Sequence, residues 1–188
     1  MITYTKYFSI RQATQHLFSG GVVAYPTEAV WGLGCNPWDY QAFLQLLRIK
    51  KRAMHKGVIL IAGHQDLLSP FVDFSYPLDW NKVFSSWPGA NTWIVPASSK
   101  APAWITGGRD TIAVRVTQHP LVKQLTQNAK FPLVSTSANV SGQLPARNAL
   151  TCRRWFGNSP NFLILNGDTL GLEQPSSITD AISEEKIR

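Results

Sequence analysis

The sequence lacks the features that define several large classes of protein. Cys35 and Cys152 are its only cysteines among 188 residues, and their separation forms no CxxC metal motif. No apolar run approaches the roughly 20 residues that cross a bilayer. The first residues, MITYTKYFSI, lack the charged and apolar regions of a signal peptide. We therefore expect a cytoplasmic protein with reduced thiols, no protein-built metal site and no membrane association.

Sequence motifs of the common enzyme classes are absent as well. The chain contains no GxxxxGK[ST] loop, no GxGxxG after a strand, no HExxH and no GxSxG. Its four histidines occur singly, and its aromatic residues do not form the pattern of an RNA-recognition motif. A nucleotide, if one is bound, must therefore be held in another way.

Positive charge is what the sequence does contain, and two segments carry most of it. The formal net charge is +7. Residues 48–56 hold five Lys or Arg and no acid, and residues 100–154 hold eight against the single acid Asp110. The last 34 residues reverse the balance, with five acids and two basic residues. This distribution fits a concave anion site, a nucleic-acid surface, or both.

Hydrophobic periodicity indicates an α/β protein. Hydrophobic residues make up 44% of the chain, and no repeat or linker divides it, so we expect one domain over residues 1–188. Apolar runs of strand length alternate with amphipathic helical patterns, which predicts a sheet covered by helices on at least one face. Helices are predicted at 9–19 (with Ser9 as the N-cap), 40–47, 78–87, 119–129 and 148–156, and strands at 22–25, 57–62, 91–97, 111–116, 131–137, 162–167 and 176–182.

Two polar loops follow predicted strands, at positions where α/β sheets bind ligands. The first is Pro26-Thr27-Glu28-Ala29-Val30-Trp31-Gly32-Leu33-Gly34, in which Thr27 and Glu28 offer polar groups and the glycines permit close approach. The second is Ser135-Thr136-Ser137-Ala138-Asn139, followed by Ser141-Gly142. Each is compatible with an ordinary loop or helix cap. Their small hydroxyl and amide groups are equally compatible with phosphate or a zwitterionic substrate.

Three basic residues suggest anion binding, and each has a structural alternative. Lys50 and Arg52 close a predicted helix, where cations complement the macrodipole, but Arg also grips phosphate oxygens bidentately and Lys supplies a point charge. Arg115 lies in the otherwise apolar strand TIAVRV. If it points inward it needs a partner. A bound carboxylate would supply one, and a structural ion pair or an outward edge position is the alternative.

The ordered set PTEAVWGLG, KxR, TIAVRV and STSANVSG resembles the YrdC-like family, the threonylcarbamoyl-AMP synthases of the short bacterial type. The resemblance covers the chain from about Ser9 to Arg188. It implies a single-domain, twisted, open α/β sheet, mixed and largely parallel, with flanking helices and a deep, positively charged cavity. It also implies a reaction in which L-threonine, bicarbonate or CO₂, and ATP give threonylcarbamoyl-adenylate and pyrophosphate.

The resemblance further assigns roles to individual residues, with Lys50, Arg52, Ser137 and Asn139 expected to carry catalysis. Grouped by the expected ligand, the residues are Lys50, Arg52, Lys56, Ser137 and Asn139 for the phosphates, Thr111 and Arg188 for the nucleotide, and Thr27, Arg115, Ser135 and Ser176 for threonine. Mg²⁺ is expected to arrive with ATP rather than in a protein cage. Two positions depart from the family pattern, because Ala53 and Ala90 stand where it has proline.

The implied partner is a separate transferase complex that moves the threonylcarbamoyl group to adenosine 37 of tRNAs reading ANN codons. A second hypothesis rests on the charge alone. It makes the chain a protein that binds double-stranded RNA or tRNA, or a ribosome-maturation factor that binds rRNA. Binding of that kind would weaken steeply with salt.

Overall fold

The computed structural model describes residues 4–140 and 142–188, with the side chains of residues 4–9 and 55 excepted. Ser141 of the hydroxyl-rich turn lies outside this description. The helices are α1 (Tyr4–Phe18), α2 (Tyr40–Lys50), α3 (Trp80–Ser85), α4 (Ala103–Thr106), α5 (Pro120–Ala129) and α6 (Ala149–Phe156). The strands are β1 (Val22–Pro26), β2 (Trp31–Cys35), β3 (Ile59–Ala62), β4 (Asn91–Pro96), β5 (Thr111–Val116), β6 (Leu133–Ser137), β7 (Phe162–Ile164) and β8 (Ser177–Asp180).

The strands form one mixed sheet, which confirms the predicted α/β class. Their order is β7-β1-β2-β6-β3-β5-β4-β8. Among the described strands, β1–β7, β3–β5 and β4–β8 pair in parallel, and the other four neighbouring pairs are antiparallel. Antiparallel pairing thus has a larger share than the expected sheet implies. The main reason is β2, which a short turn joins to β1 and which pairs antiparallel on both sides.

Strand β2 was not predicted, because WGLGC carries two glycines inside what reads as a loop. The glycines are needed for close approach. A Cβ atom at Gly34 would lie 2.5 Å from the carbonyl oxygen of Val134 on β6 and 2.8 Å from the ring of Tyr25 on β1. The two glycines, which make this segment resemble a loop in the sequence, therefore allow the strand to fit between β1 and β6.

The N-terminal helix also differs from the prediction. It begins at Tyr4, so Ser9 lies within it rather than at its cap. Residues 4–8 contain neither Gly nor Pro, so nothing in them stops the helix. The remaining predicted elements are present, β5 with the predicted bounds and the others with shifted ends. In the described part of the chain no helix is long and apolar enough to cross a bilayer. Both cysteines are buried and free.

Side chains alternate between the two sheet faces, and the two faces are covered differently. On one face, Leu33, Leu60 and Val114 pack into a large core that includes Phe43 and Leu46 of α2. On the other, α1 and α5 cover a patch that includes Val23, Ile61 and Leu133. The register places Gly32, Ile59, Ala113, Ser135 and Ser137 on this second face, and all five line a cavity. The cavity therefore occupies the part of the face that α1 and α5 leave open.

Candidate active site

The cavity on the open part of the sheet has a volume of about 490 Å³. Nine of the eleven residues singled out from the sequence line it, although they come from segments spread along the chain. They are Thr27, Arg52, Lys56, Thr111, Arg115, Ser135, Ser137, Ser176 and Arg188. Lys50 and Asn139 lie behind the wall rather than in it. The fold thus brings into one cavity residues that lie far apart in the sequence and that were selected only from their motifs.

Positive charge dominates the described lining of the cavity. Five cationic side chains and one carboxylate, that of Glu28, face it, which leaves a formal surplus of four positive charges (five minus one). The five are Arg52, Lys56, Arg109, Arg115 and Arg188. Fields from charges in a low-dielectric cleft concentrate there, so the cavity attracts anions.

The lysine cluster, made of Lys50, Arg52, Ser137 and Asn139, joins helix α2 to the end of β6. Lys50 is 2% exposed, and its Nζ donates to Ser137 O at 2.7 Å and to Asn139 Oδ1 at 2.5 Å. The Ser137 hydroxyl donates to the same Oδ1 at 2.7 Å. Burial, followed by the charge of Arg52, lowers the pKa of Lys50 from 10.5 to about 8. Lys50 therefore holds the turn that presents Ser137 to the cavity.

Arg52 reaches the cavity because helix α2 ends sharply. Lys51 adopts a left-handed conformation with φ of 51°, which terminates the helix and redirects the chain. The Arg52 side chain is half-buried, and one terminal nitrogen donates to Gly57 O at 3.0 Å and Lys56 O at 3.2 Å. Its Nε is buried, with no hydrogen-bond partner among the described residues. Burial also lowers the Arg52 pKa. Such a guanidinium is ready for an anionic ligand.

The glutamate cluster, made of Glu28, Arg115, Thr117 and Gln118, lies at another part of the lining. Glu28 is 1% exposed and forms a salt bridge with the Nη2 of Arg115. Its other oxygen accepts from the Thr117 hydroxyl at 2.8 Å and from the backbone N–H of Gln118 at 3.1 Å. The Nε of Arg115 donates to Gly89 O at 2.9 Å. Of the alternatives left open for Arg115, the structural ion pair is present, and the side chain still lines the cavity.

The hydroxyl-bearing residues Thr27 and Ser135 complete this side of the cavity. The Thr27 hydroxyl donates to Val30 O at 2.7 Å, which closes the turn after β1. The hydroxyl of Tyr25 donates to Ser135 Oγ at 2.8 Å. Neither Tyr25 nor Glu28 was among the site residues predicted from the sequence. Glu28 could have been predicted from the sequence. A buried acid between two strands needs a cationic partner, and an inward-pointing Arg115 needs an acidic one, so each could have suggested the other.

The C-terminal residues form a further section of the wall. The Arg188 guanidinium donates to Ser176 O from Nε at 3.1 Å and from Nη2 at 3.0 Å. The Ser176 hydroxyl lies 2.9 Å from the Thr92 hydroxyl. Burial, and then the charge of Arg115, lowers the Arg188 pKa. Thr111 lines the cavity from the first position of β5, and Lys56 from the short turn Met54–Lys56.

Metal ligands are scarce in this lining. Within residues 4–140 and 142–188, no group of three or more His, Cys, Asp or Glu side chains has the arrangement needed to hold an ion. Glu28 is already engaged with a cation and two donors. The described side chains therefore do not form a cage for Mg²⁺.

Fold and site together define a class, an α/β protein with a cationic cavity lined by hydroxyl groups and built from the open half of a mixed sheet. The chain belongs to the Sua5/YciO/YrdC family, because the model of that family, described as "Telomere recombination", matches residues 15–188.

Two relatives that match nearly the whole chain are named threonylcarbamoyl-AMP synthase. The chain is 46% identical over 183 residues to the threonylcarbamoyl-AMP synthase of Hydrogenovibrio crunogenus, covering 96% of this chain and 97% of that protein. It is 47% identical over 188 residues to the threonylcarbamoyl-AMP synthase of Coxiella burnetii, covering all of both. The crystal structure of P. abyssi Sua5 complexed with L-threonine superposes with a TM-score of 0.81 at 29% identity, over 91% of this chain. The chain spans about half of that Sua5, 50% of its length.

Proposed function

We infer that the chain is a threonylcarbamoyl-AMP synthase, which forms threonylcarbamoyl-adenylate and pyrophosphate from L-threonine, bicarbonate or CO₂, and ATP. One observation carries the inference beyond family membership. Nine residues chosen from separate motifs line a single cavity with a surplus of positive charge. The reaction needs such a cavity, because it joins a zwitterion to a polyanion.

The chemistry requires no activated side-chain nucleophile. The threonine amine adds to CO₂ and loses a proton, which gives a carbamate. A carbamate oxygen then attacks the α-phosphorus of ATP, the bond from that phosphorus to the bridging oxygen breaks, and pyrophosphate leaves with the electron pair. Catalysis is then a matter of positioning the reactants and stabilising charge at phosphorus. A lining rich in Arg, Lys and Ser suits this role.

The two clusters suit the two kinds of substrate. We assign the phosphates to Arg52, Lys56 and Ser137, with Lys50 and Asn139 acting by holding the turn that carries Ser137. The position of Arg52 in the cavity lining supports this assignment, because a guanidinium can donate to phosphate oxygens. We assign threonine to Thr27, Arg115, Ser135 and Ser176, and the remainder of the nucleotide to residues that include Thr111 and Arg188.

The wider setting follows from the reaction. The family uses ATP as a substrate, and Mg²⁺ would arrive with the triphosphate, whose oxygens are the ligands that this ion prefers. The unstable product must pass to a transferase complex that modifies adenosine 37 of tRNAs reading ANN codons. That role belongs in the cytoplasm. RNA binding as the primary function is not favoured, because Arg52, Lys56, Arg115 and Arg188 line one cavity of about 490 Å³, which is too small for a duplex.

Pyrophosphate release tests the proposal. Purified protein is mixed with ATP and bicarbonate, and release is followed as L-threonine is varied and then replaced by L-valine, which has the same shape without the hydroxyl. We expect saturable release with threonine and bicarbonate, and little with valine. Release that is indifferent to threonine would overturn the proposal. Salt-dependent RNA binding that survives Arg52→Ala would instead indicate a separate RNA surface.

A further inference from the structure

Tyr25 lies at the boundary between the helix-covered part of the sheet face and the open part. Its side chain is fully buried and packs with residues of α1 and α5. It is not part of the cavity lining. Its hydroxyl nevertheless reaches Ser135, which does line the cavity, at 2.8 Å. Tyr25 therefore connects the core to the cavity floor through one hydrogen bond.

The reach of Tyr25 depends on two glycines. The register pairs Tyr25 on β1 with Gly32 on β2, and Gly34 on β2 with Ser135 on β6. A Cβ atom at Gly32 would lie 3.0 Å from the tyrosine ring, and one at Gly34 would lie 2.8 Å from it. The intervening strand thus has no side chain on this face, and the ring lies across it to reach the second neighbouring strand. This gives the GLG sequence a function besides close strand packing.

The direction of the hydrogen bond determines what Ser135 can do. A serine hydroxyl has one proton to donate and two lone pairs that accept. Tyr25 donates to it, so one lone pair is occupied and the serine proton points away from the tyrosine. Burial raises the pKa of Tyr25, which keeps the phenol protonated at physiological pH. Among the described residues Ser135 Oγ has no other hydrogen-bond partner, so its proton is available to a ligand in the cavity.

We propose that Tyr25 is a positioning residue that fixes the Ser135 hydroxyl as a hydrogen-bond donor to a carboxylate oxygen of the amino-acid substrate. The proposal rests on the proposed function, because it names the ligand of that same cavity. The occupied lone pair leaves the serine proton to be donated into the cavity, and an anionic oxygen is the strongest acceptor for it. The pair therefore favours an anionic oxygen at this point of the cavity.

Steady-state kinetics of Tyr25→Phe test the proposal. The variant keeps the ring and removes the hydroxyl, so the fold is retained. We expect the KM for threonine to rise about three- to tenfold, the scale of one lost hydrogen bond, with the KM for ATP unchanged. Tyr76→Phe, at a tyrosine that is 40% exposed and remote from the cavity lining, is the matched control and leaves both values unchanged.

A double-mutant cycle separates positioning from a merely structural role. In a Ser135→Ala background there is no hydroxyl to orient, so adding Tyr25→Phe should not raise the threonine KM further. Equal effects of Tyr25→Phe in both backgrounds would overturn the proposal, as would an unchanged threonine KM or an effect confined to ATP. A wild-type protein without threonine-dependent pyrophosphate release would overturn the proposed function and this proposal together, whereas an active wild type with an unaffected variant overturns this one alone.

Discussion

The two charged clusters of the cavity stabilise their buried cations with different kinds of partner. In the glutamate cluster, Arg115 faces a carboxylate, and that carboxylate accepts from two further donors. In the lysine cluster, the cations are held by carbonyl, hydroxyl and amide oxygens, and no carboxylate belongs to it. The first cluster is electrically balanced before any ligand arrives, and the second is not.

The glutamate cluster therefore includes both a cation and an anion, whereas the four residues of the lysine cluster gain an anion only when an anionic ligand binds. Burying a charge is costly, and the lowered pKa values of Lys50 and Arg52 report that cost. A polyanion such as ATP removes it on binding. A balanced cluster suits a zwitterion, which brings no net charge. Stability is therefore concentrated at the glutamate cluster, and affinity for phosphate at the lysine cluster.

The largest effect should come from breaking the balanced cluster. Glu28→Gln leaves Arg115 buried without its counter-charge, and we expect the free energy of unfolding to fall by about 3–5 kcal/mol. Denaturant unfolding measures this loss. The exposed pair Lys82–Glu184, at 2.8 Å, provides the control, since Glu184→Gln should cost about 0–1 kcal/mol.

A double variant sharpens the same comparison. Adding Arg115→Gln to Glu28→Gln removes the stranded charge, so part of the lost stability should return while threonine-dependent activity stays low. A Glu28→Gln protein as stable as the wild type would show that Arg115 is compensated elsewhere and that the cluster is not the balanced unit described above.

The next largest effect should come from the lysine cluster, and it should appear in activity rather than stability. Arg52→Ala removes a guanidinium that faces the cavity, and we expect kcat to fall about 10- to 1000-fold, the scale of a lost transition-state donor. Arg48→Ala removes the same charge from an exposed position on α2 and should leave kcat unchanged. Equal losses in both variants would indicate a general effect of net charge. Pyrophosphate release measures both.

Lys50 should make ATP binding depend on pH. Its pKa of about 8 means that it loses its charge above that pH. The charge-assisted hydrogen bonds by which Lys50 holds the turn of Ser137 then become neutral ones, and we expect the Kd for a non-hydrolysable ATP analogue to rise about fivefold between pH 7 and 9. Calorimetry measures the Kd. Lys50→Met should bind weakly at pH 7 and show no step. A step that persists in this variant would belong to another group.

The same group should affect stability with a defined sign. Below about pH 8 Lys50 is charged in both the folded and unfolded states, so the full cost of burying that charge opposes folding. Between pH 8 and 10.5 the folded state releases the proton and the unfolded state keeps it. The unfavourable contribution of Lys50 to folding stability therefore decreases as pH rises through this window, while its favourable contribution to ATP affinity is lost.

The sequence predicted the elements of the fold better than their arrangement. Helix α5 begins at Pro120 and strand β5 covers Thr111–Val116, as their local patterns indicate. Strand β2 escaped prediction because its glycines serve a contact with Tyr25 and Val134 that no local pattern records. Part of the antiparallel pairing was missed for the same reason, since two of the four antiparallel pairs among the described strands involve β2.

The site residues show a similar limit. Motif order identified Arg52 and Ser137, which do line the cavity, because phosphate chemistry restricts the residue types that can serve. It also grouped Lys50 with them, although Lys50 lies behind the wall and holds the turn. Whether a polar side chain faces a ligand or supports a neighbour depends on distances across the sheet. Tyr25 and Glu28 were missed because their partners are far away in the chain.

The smallest effect should come from the loop between Arg52 and the turn Met54–Lys56. Ala53, which replaces the family's proline, has φ of −71° and ψ of 142°, a conformation that proline also adopts. In the described part of the chain its N–H donates no backbone hydrogen bond. Ala53→Pro should therefore raise the free energy of unfolding by about 0.4–1 kcal/mol through a less flexible unfolded chain. Ala101→Pro, which removes a bond to Ser98 O at 2.9 Å, should destabilise. A gain at Ala53 without change in the Glu28→Gln loss would show that this loop and the glutamate cluster contribute independently to stability.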